Sequence, residues 1–225
     1  MKKRYEKNIG ALTVEENERL MGFRVCVVGC GGLGGFVIEQ LGRLGVGFIT
    51  AVDGDVFEET NLNRQLFSDG TVLGINKAKQ AQTRMRRVNP DVNVTAIPVF
   101  VVKDNCEEIV KDHDIIIDAL DNVPTRYLIE SAAQKLNIPL IHGAISGWCG
   151  QVCVIKPGHP VFNKIYQEMT EMDSETDGNL PYTAGTAAAI EASEAVKVLL
   201  GKENTLEGKF LTFDLQNSEF EIFDL

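Results

Sequence analysis

Residues 23–53 read FRVCVVGCGGLGGFVIEQLGRLGVGFITAVD, and this stretch decides the fold. An apolar strand, Phe23 to Val28, runs into a glycine-rich turn; a helix follows, and a second apolar strand, Phe48 to Val52, ends on Asp53. Gly29, Gly31 and Gly34 satisfy Gly-x-Gly-x-x-Gly directly after a strand and at the opening of a helix, the setting in which that spacing means nucleotide binding. Glycine lets the backbone turn tightly and approach a phosphate, and the helix N-terminus offers free N–H groups and partial positive charge. Asp53 stands 19 residues beyond Gly34, where a carboxylate accepts hydrogen bonds from ribose hydroxyls. NAD, FAD and ATP all satisfy these features. The non-functional alternative is a glycine turn that only packs a helix on a sheet.

Outward from this stretch, 225 residues with 44% hydrophobic content make an ordinary globular chain with a sizeable core. No apolar run approaches the roughly 20 residues that span a bilayer, and the N-terminus MKKRYEKNIG has no apolar segment behind its charges. The expectation is a cytoplasmic protein with no membrane partner. The five cysteines, Cys26, Cys30, Cys106, Cys149 and Cys153, are scattered, four of them in or beside apolar strands, as expected of thiols in a reducing compartment. Cys149 and Cys153 on one strand would lie ~13 Å apart on one face, too far to share an ion or a disulfide, and read as core thiols. A net charge of −10 argues against nucleic acid as a partner. The basic stretch Arg84 to Arg87 reads as a solvated helix face.

Thr13-Val-Glu-Glu16 is a capping box for a helix to about Met21, and Arg4, Tyr5 and Lys7 before it form a cationic arm without a core pattern, as in a frayed terminus. The long connection after Asp53, GDVFEETNLNRQLFSDGTVLGINKAK, is poor in periodic aliphatics and groups Asn61, Arg64, Gln65 and Lys77, which suit a polyphosphate. A helix from Asn76 to Val88 stops at Asn89-Pro90, a strand covers Val92 to Val99, and Asn105 with Glu108 predicts a capping box for a short helix. His113 to Ala119 is a buried strand ending in Asp118-Ala-Leu-Asp121-Asn122, over the crevice where parallel sheets bind ligands. Asp121 is thereby a candidate Mg²⁺ ligand, and the competing role for Asp121 and Asn122 is the N-cap of the helix starting near Pro124. Strands at Pro139 to Ile145 and Gly150 to Ile155, a polar loop from Gly158 to Tyr182, a helix from Thr186 to Leu200 and a C-terminal hairpin complete the chain. The architecture expected is α/β: one Rossmann-like domain over 1–225, its sheet mostly parallel with helices on both faces and an antiparallel hairpin at the end.

These residues resemble the ThiF/MoeB/HesA adenylyltransferases, bacterial relatives of ubiquitin-activating enzymes. The resemblance runs from RYEKNI to the hairpin and is most specific at GCGGLG (29–34), VDGDVFEETNLNRQ (52–65), GINKA (74–78) and DALDN (118–122). It implies ATP with Mg²⁺, and activation of the C-terminal carboxylate of a small ubiquitin-like sulfur carrier ending in Gly-Gly as an acyl-adenylate. Matching positions assign Asp53 to the ribose, Gly32 and Asn61 to nucleotide contacts, Arg64 and Lys77 to the phosphates and Asp121 to Mg²⁺. Gly29, Gly31, Gly34, Asp55, Thr60, Gln65 and Asn122 complete the nucleotide-binding set within the same motifs. The resemblance also implies a homodimer in which Lys7 reaches the neighbouring triphosphate, where the family commonly has arginine. This chain has neither Cys-x-x-Cys pair of the zinc-holding members, so no zinc is expected. The 158–182 loop has no cysteine, so the carrier is expected to be adenylated and handed on without a thioester on that loop, which instead clamps the carrier's tail.

Three other functions share parts of this pattern. A tRNA-nucleoside dehydratase of the same superfamily would carry the same ATP site but calls for a basic surface. An NAD-dependent oxidoreductase leaves Asn61, Arg64 and Lys77 unexplained. A non-catalytic partner subunit has no use for an intact phosphate and metal set.

Overall fold

The computed structural model describes residues 2–166 and 178–225. One eight-stranded sheet organises them. Strands β1 (Arg24–Val28), β2 (Phe48–Val52), β3 (Asn93–Ile97), β4 (Ile115–Asp118) and β5 (Leu140–Ser146) run parallel. Strands β6 (Cys149–Ile155), β7 (Lys209–Asp214) and β8 (Glu219–Asp224) extend it antiparallel, in the order β3-β2-β1-β4-β5-β6-β7-β8. The helices are α1 (Val14–Leu20), α2 (Gly32–Leu44), α3 (Lys77–Val88), α4 (Cys106–Val110), α5 (Val123–Leu136), α6 (Phe162–Ile165) and α7 (Pro181–Leu200).

Alternation along the strands divides the core in two. Val25, Val27, Ile115 and Ile117 face one way, against Ile38 and Leu41 of α2, Ala81 and Met85 of α3, and the alanines of α7. Cys26, Val28 and Ile116 face the other way, against Ile109 of α4, Ile129 and Ala133 of α5, and Phe162 of α6. Burial on both faces is why β1 and β4 read as unbroken apolar runs, each fully buried aliphatic contributing about 2 kcal/mol. Chain order reverses between β1 and β4: β2 and β3 lie on one side, β5 on the other. A crevice therefore opens beyond the C-terminal ends of β1 and β4, where Val28 pairs with Asp118.

Most local expectations hold. Both halves of the Thr13–Glu16 capping box form, Asn76 caps α3, and Asn122 takes the N-cap of α5 by accepting from the Thr125 N–H at 3.0 Å. Several expectations need correction. The N-terminal arm is no frayed end: Lys3–Asn8 is a 3₁₀ helix whose Tyr5 is buried against Gly45, its hydroxyl accepting from Asn89 Nδ2 at 2.9 Å. Arg84 is not merely solvated, since its Nε pairs with Glu39 at 3.1 Å and ties α3 to α2. Asn105 does not cap α4; its side chain accepts from the Val102 N–H before the helix and donates to the Phe100 carbonyl. Cys149 is exposed at the start of β6, while Cys153 is buried. Helix α7 starts at Pro181, earlier than expected, because proline at the first helical position has its φ preset and no N–H to satisfy. Residues 167–177 of the 158–182 loop, and with them most of the expected clamp, lie outside the described residues. Among the described residues no helix is long and apolar enough to cross a membrane.

Candidate active site

A cavity of about 900 Å³ fills the crevice. Its floor is the turn from β1 into α2. Gly29 has φ of 98°, and a Cβ there would lie 2.4 Å from the Ala119 carbonyl oxygen of the neighbouring strand end, so only glycine fits. Gly31 stands at the N-cap of α2 with no side chain capping the helix, which leaves first-turn N–H groups free for an anion. Gly34 does not line the cavity. A Cβ on it would meet the Gly29 carbonyl oxygen at 1.8 Å, so its role is to let the first turn of α2 pack on the loop.

Asp53 sits at the end of β2 with one oxygen accepting from the Cys30 N–H and the other from the Asp55 N–H, both at 2.8 Å. Each oxygen keeps acceptor capacity toward the cavity. Burial pushes this carboxyl above its ordinary pKa, against the pull of the two N–H groups and the Lys77 charge. Lys77, at the first turn of α3, is buried, and its ammonium pairs with Asp55 at 2.5 Å. Asp55 is partly buried, yet Lys77 and the Val56 N–H hold its carboxyl below the usual range. Asn76 fastens this corner, donating to the Asp53 and Asp55 carbonyls at 2.9 Å each.

The 54–76 connection is ordered around Phe57, Phe67 and Val72, all buried. Its Glu59–Asn61 segment is a 3₁₀ turn. Asn61 is buried but points into its own turn, Oδ1 accepting from the Glu58 N–H at 3.0 Å and its carbonyl accepting from the Arg64 and Gln65 N–H groups. Asn61 thus does not line the cavity. Neither does Thr60, which lends its carbonyl to Arg64 Nη1 at 3.1 Å. Arg64 and Gln65 do line it, Arg64 alongside Gly32 and the Gln65 amide against Gly31. Gln65 is 6% exposed, and its Oε1 has no hydrogen-bond partner among the described residues. An orphaned buried acceptor costs about 1–3 kcal/mol, which a donor on a ligand would recover.

Asp121 and Asn122 are exposed on the opposite rim, on the turn leaving β4. Among the described residues no group of three or more His, Cys, Asp or Glu side chains converges to hold a metal. One carboxylate beside a phosphate cradle nevertheless suits Mg²⁺, which is held by one or two carboxylates plus substrate phosphates. Lys7 is exposed on the 3₁₀ helix and does not line the cavity of its own chain.

Several lining residues carry no local sequence signal. Val99, Phe100 and Val101 form an apolar wall, with the Phe100 ring against Gly54. Arg126, Tyr166 and Gln151 converge from α5, the end of α6 and β6, and Thr212 and Glu221 from β7 and β8. A run of apolar residues past the end of a strand was the one hint of the first group.

The fold and the cavity define a class: a Rossmann-like domain with a nucleotide site at its switch point, furnished with cations for phosphate. The chain belongs to the ThiF family, which it matches over residues 5–225. It is 39% identical over 211 residues to a SAMP-activating enzyme E1 of Haloferax volcanii, covering 92% of this chain and 78% of that protein. It is 37% identical over 224 residues to a sulfur carrier protein adenylyltransferase of Thermus thermophilus, covering 92% of this chain and 80% of that protein. In fold alone it is similar to the crystal structure of E. coli MccB with ATP, with a TM-score of 0.87 at 21% identity over 100% of this chain and 72% of that one.

Proposed function

We propose that this protein is an ATP- and Mg²⁺-dependent adenylyltransferase acting on the C-terminal carboxylate of a small ubiquitin-like sulfur carrier ending in Gly-Gly. The observation that carries this reading is the length of the cavity: from the glycine turn it runs on past Ser146 to Gln151, Thr212 and Glu221 of the antiparallel strands. That leaves a path for an extended tail to reach a nucleotide seated on α2.

In the reaction, a carboxylate oxygen of the tail bonds to the α-phosphorus of ATP, the bond to the bridging oxygen breaks, and pyrophosphate leaves with its electrons. The protein's part is placement and charge. Asp53 holds the ribose. The N–H groups of α2 and the Gly31-Gly32 backbone receive phosphate oxygens, Arg64 spans them with its fork, and Lys77 exchanges Asp55 for phosphate. Asp121, together with the phosphates, would hold Mg²⁺, which would supply positive charge to the leaving pyrophosphate. The protein acts as a homodimer, with exposed Val56, Leu62, Leu66, Leu73 and Ile75 of the 54–76 connection as the apolar surface that supports pairing and Lys7 completing the partner's site.

ATP–pyrophosphate exchange with Mg²⁺ and candidate carriers tests the reading. Arg64→Ala lowers exchange by about 100-fold while leaving the unfolding transition in place. Full exchange in that variant, or a stable reducible adduct between carrier and enzyme, overturns respectively the assignment of Arg64 and the release of the carrier as adenylate.

A further inference from the structure

Behind the rim that bears Asp121 lies a closed ring of hydrogen bonds that the adenylation chemistry does not itself require. Asp118, the last residue of β4, is fully buried; its Oδ1 accepts from the Leu120 N–H at 3.1 Å and its Oδ2 meets His142 Nδ1 at 2.8 Å. His142 Nε2 lies 2.8 Å from the Tyr166 hydroxyl. Arg126 Nη1 donates to that hydroxyl at 2.7 Å, and its Nη2 donates to the Leu120 carbonyl at 2.6 Å, which closes the circuit.

The proton positions follow from the donors. The Tyr166 oxygen accepts from Arg126 and from Gln151 Nε2 at 3.1 Å, so its one proton goes to His142 Nε2. The other imidazole nitrogen then carries the proton and donates it to Asp118. A neutral histidine in this place agrees with its burial, which holds it below its ordinary pKa against the pull of Asp118.

Both the N–H and the C=O of Leu120, the residue immediately before Asp121, are thus held by side chains of the ring. The guanidinium also lies over the Tyr166 ring, 5.3 Å from its centroid. Arg126 is 93% buried and lines the cavity; among the described residues its Nε has no hydrogen-bond partner and forms only a 3.6 Å ion pair with Asp118 Oδ2. A buried arginine set so deeply beside the turn that bears the metal carboxylate is expensive unless its fork fixes something.

We infer that Arg126, braced by the Tyr166 hydroxyl, is a positioning residue: it locks the Leu120 peptide and thereby sets Asp121 for the metal–nucleotide. This inference rests on the adenylation reading for the identity of that ligand. Arg126 touches neither metal nor reacting atoms in this role; it acts through the backbone of the β4–α5 turn.

The experiment measures Mn²⁺ binding by electron paramagnetic resonance to the full-length protein with a non-hydrolysable ATP analogue, beside nucleotide affinity in EDTA and ATP–pyrophosphate exchange. In Arg126→Lys and in Tyr166→Phe, the affinity for Mn²⁺ in the ternary complex falls by about tenfold, while nucleotide affinity in EDTA stays within about twofold of the parent. Exchange shifts to higher Mg²⁺ concentration to the same degree. Tyr166→Phe keeps the aromatic packing on Phe162 and His142, so a folded variant remains if lysine at 126 is not tolerated. Unchanged Mn²⁺ affinity in a folded variant, or equal loss of nucleotide and metal affinity, overturns the positioning role. A parent protein with no exchange and no nucleotide binding overturns the adenylation reading instead.

Discussion

The two halves of the sheet solve different problems. The parallel half, β3-β2-β1-β4-β5, is covered on both faces, and its strand ends meet at the switch point where the glycine turn, Asp53 and Asp121 gather. The antiparallel half, β6-β7-β8, ends in an edge strand whose six residues are all exposed, and Phe220, Ile222 and Phe223 stay open to solvent beside Glu219, Glu221 and Asp224. Charges interleaved along such an edge hinder pairing with another chain. The parallel half frames the floor of the cavity, and the cavity continues over the antiparallel half to Thr212 and Glu221.

The comparison breaks first in the core. Ile117→Ala on β4, fully buried, costs about 4 kcal/mol in urea unfolding, because the cavity it leaves cannot collapse between two packed layers. A loss under about 1 kcal/mol would mean that the parallel half is looser than its packing indicates.

The seam between the halves gives the second test. Glu191 of α7 is fully buried with its carboxylate against Gly143 of β5, and neither oxygen has a hydrogen-bond partner among the described residues. Burial raises its pKa well above the ordinary value, with Asp118 adding to the rise and Arg126 opposing it. An acid with a raised folded pKa binds its proton more tightly when folded. Its contribution is therefore most favourable below the unfolded pKa and declines by about 1.4 kcal/mol per pH unit as pH climbs toward the folded value. Glu191→Gln removes that slope, so its melting temperature gains on the parent as pH rises above the ordinary glutamate value of 4.5. A difference that stays flat with pH would place the charge elsewhere.

The smallest effect belongs to the edge. Ile222→Ala, at a side chain 58% exposed, leaves stability within about 0.5 kcal/mol of the parent. A larger loss, dependent on protein concentration, would show that β8 is covered in solution by a second copy.

Much of the candidate site is legible because it lies in contiguous motifs. Gly29, Gly31, Gly32 and Asp53 follow from strand, turn and helix in register, and Arg64, Gln65 and Lys77 from one polar connection; all of them line the cavity. Gly34, Thr60 and Asn61 share those motifs but do not line the cavity: Gly34 relieves a backbone clash, while exposed Thr60 and buried Asn61 hold the turn that carries Arg64. Proximity in sequence could not separate the residue that lines from the residue that supports. The order of the N-terminal arm is hidden from the sequence for a related reason: Tyr5 finds its partners at Gly45 and Asn89, far along the chain.

By itself the sequence determined the parallel α/β core and the glycine turn that floors the cavity at its switch point. Those rest on local rules: apolar runs of strand length, glycines where a Cβ would collide, and a carboxylate at a strand end. Only the tertiary structure decided which polar residues share a cavity, that the cavity continues onto the antiparallel strands, and that Asp118, His142, Tyr166 and Arg126 close a ring behind Asp121. The ring joins residues up to 48 positions apart, Asp118 to Tyr166. Its Asp118–His142 bond exists because parallel pairing of β4 with β5 sets the two residues opposite each other, a register no local pattern encodes.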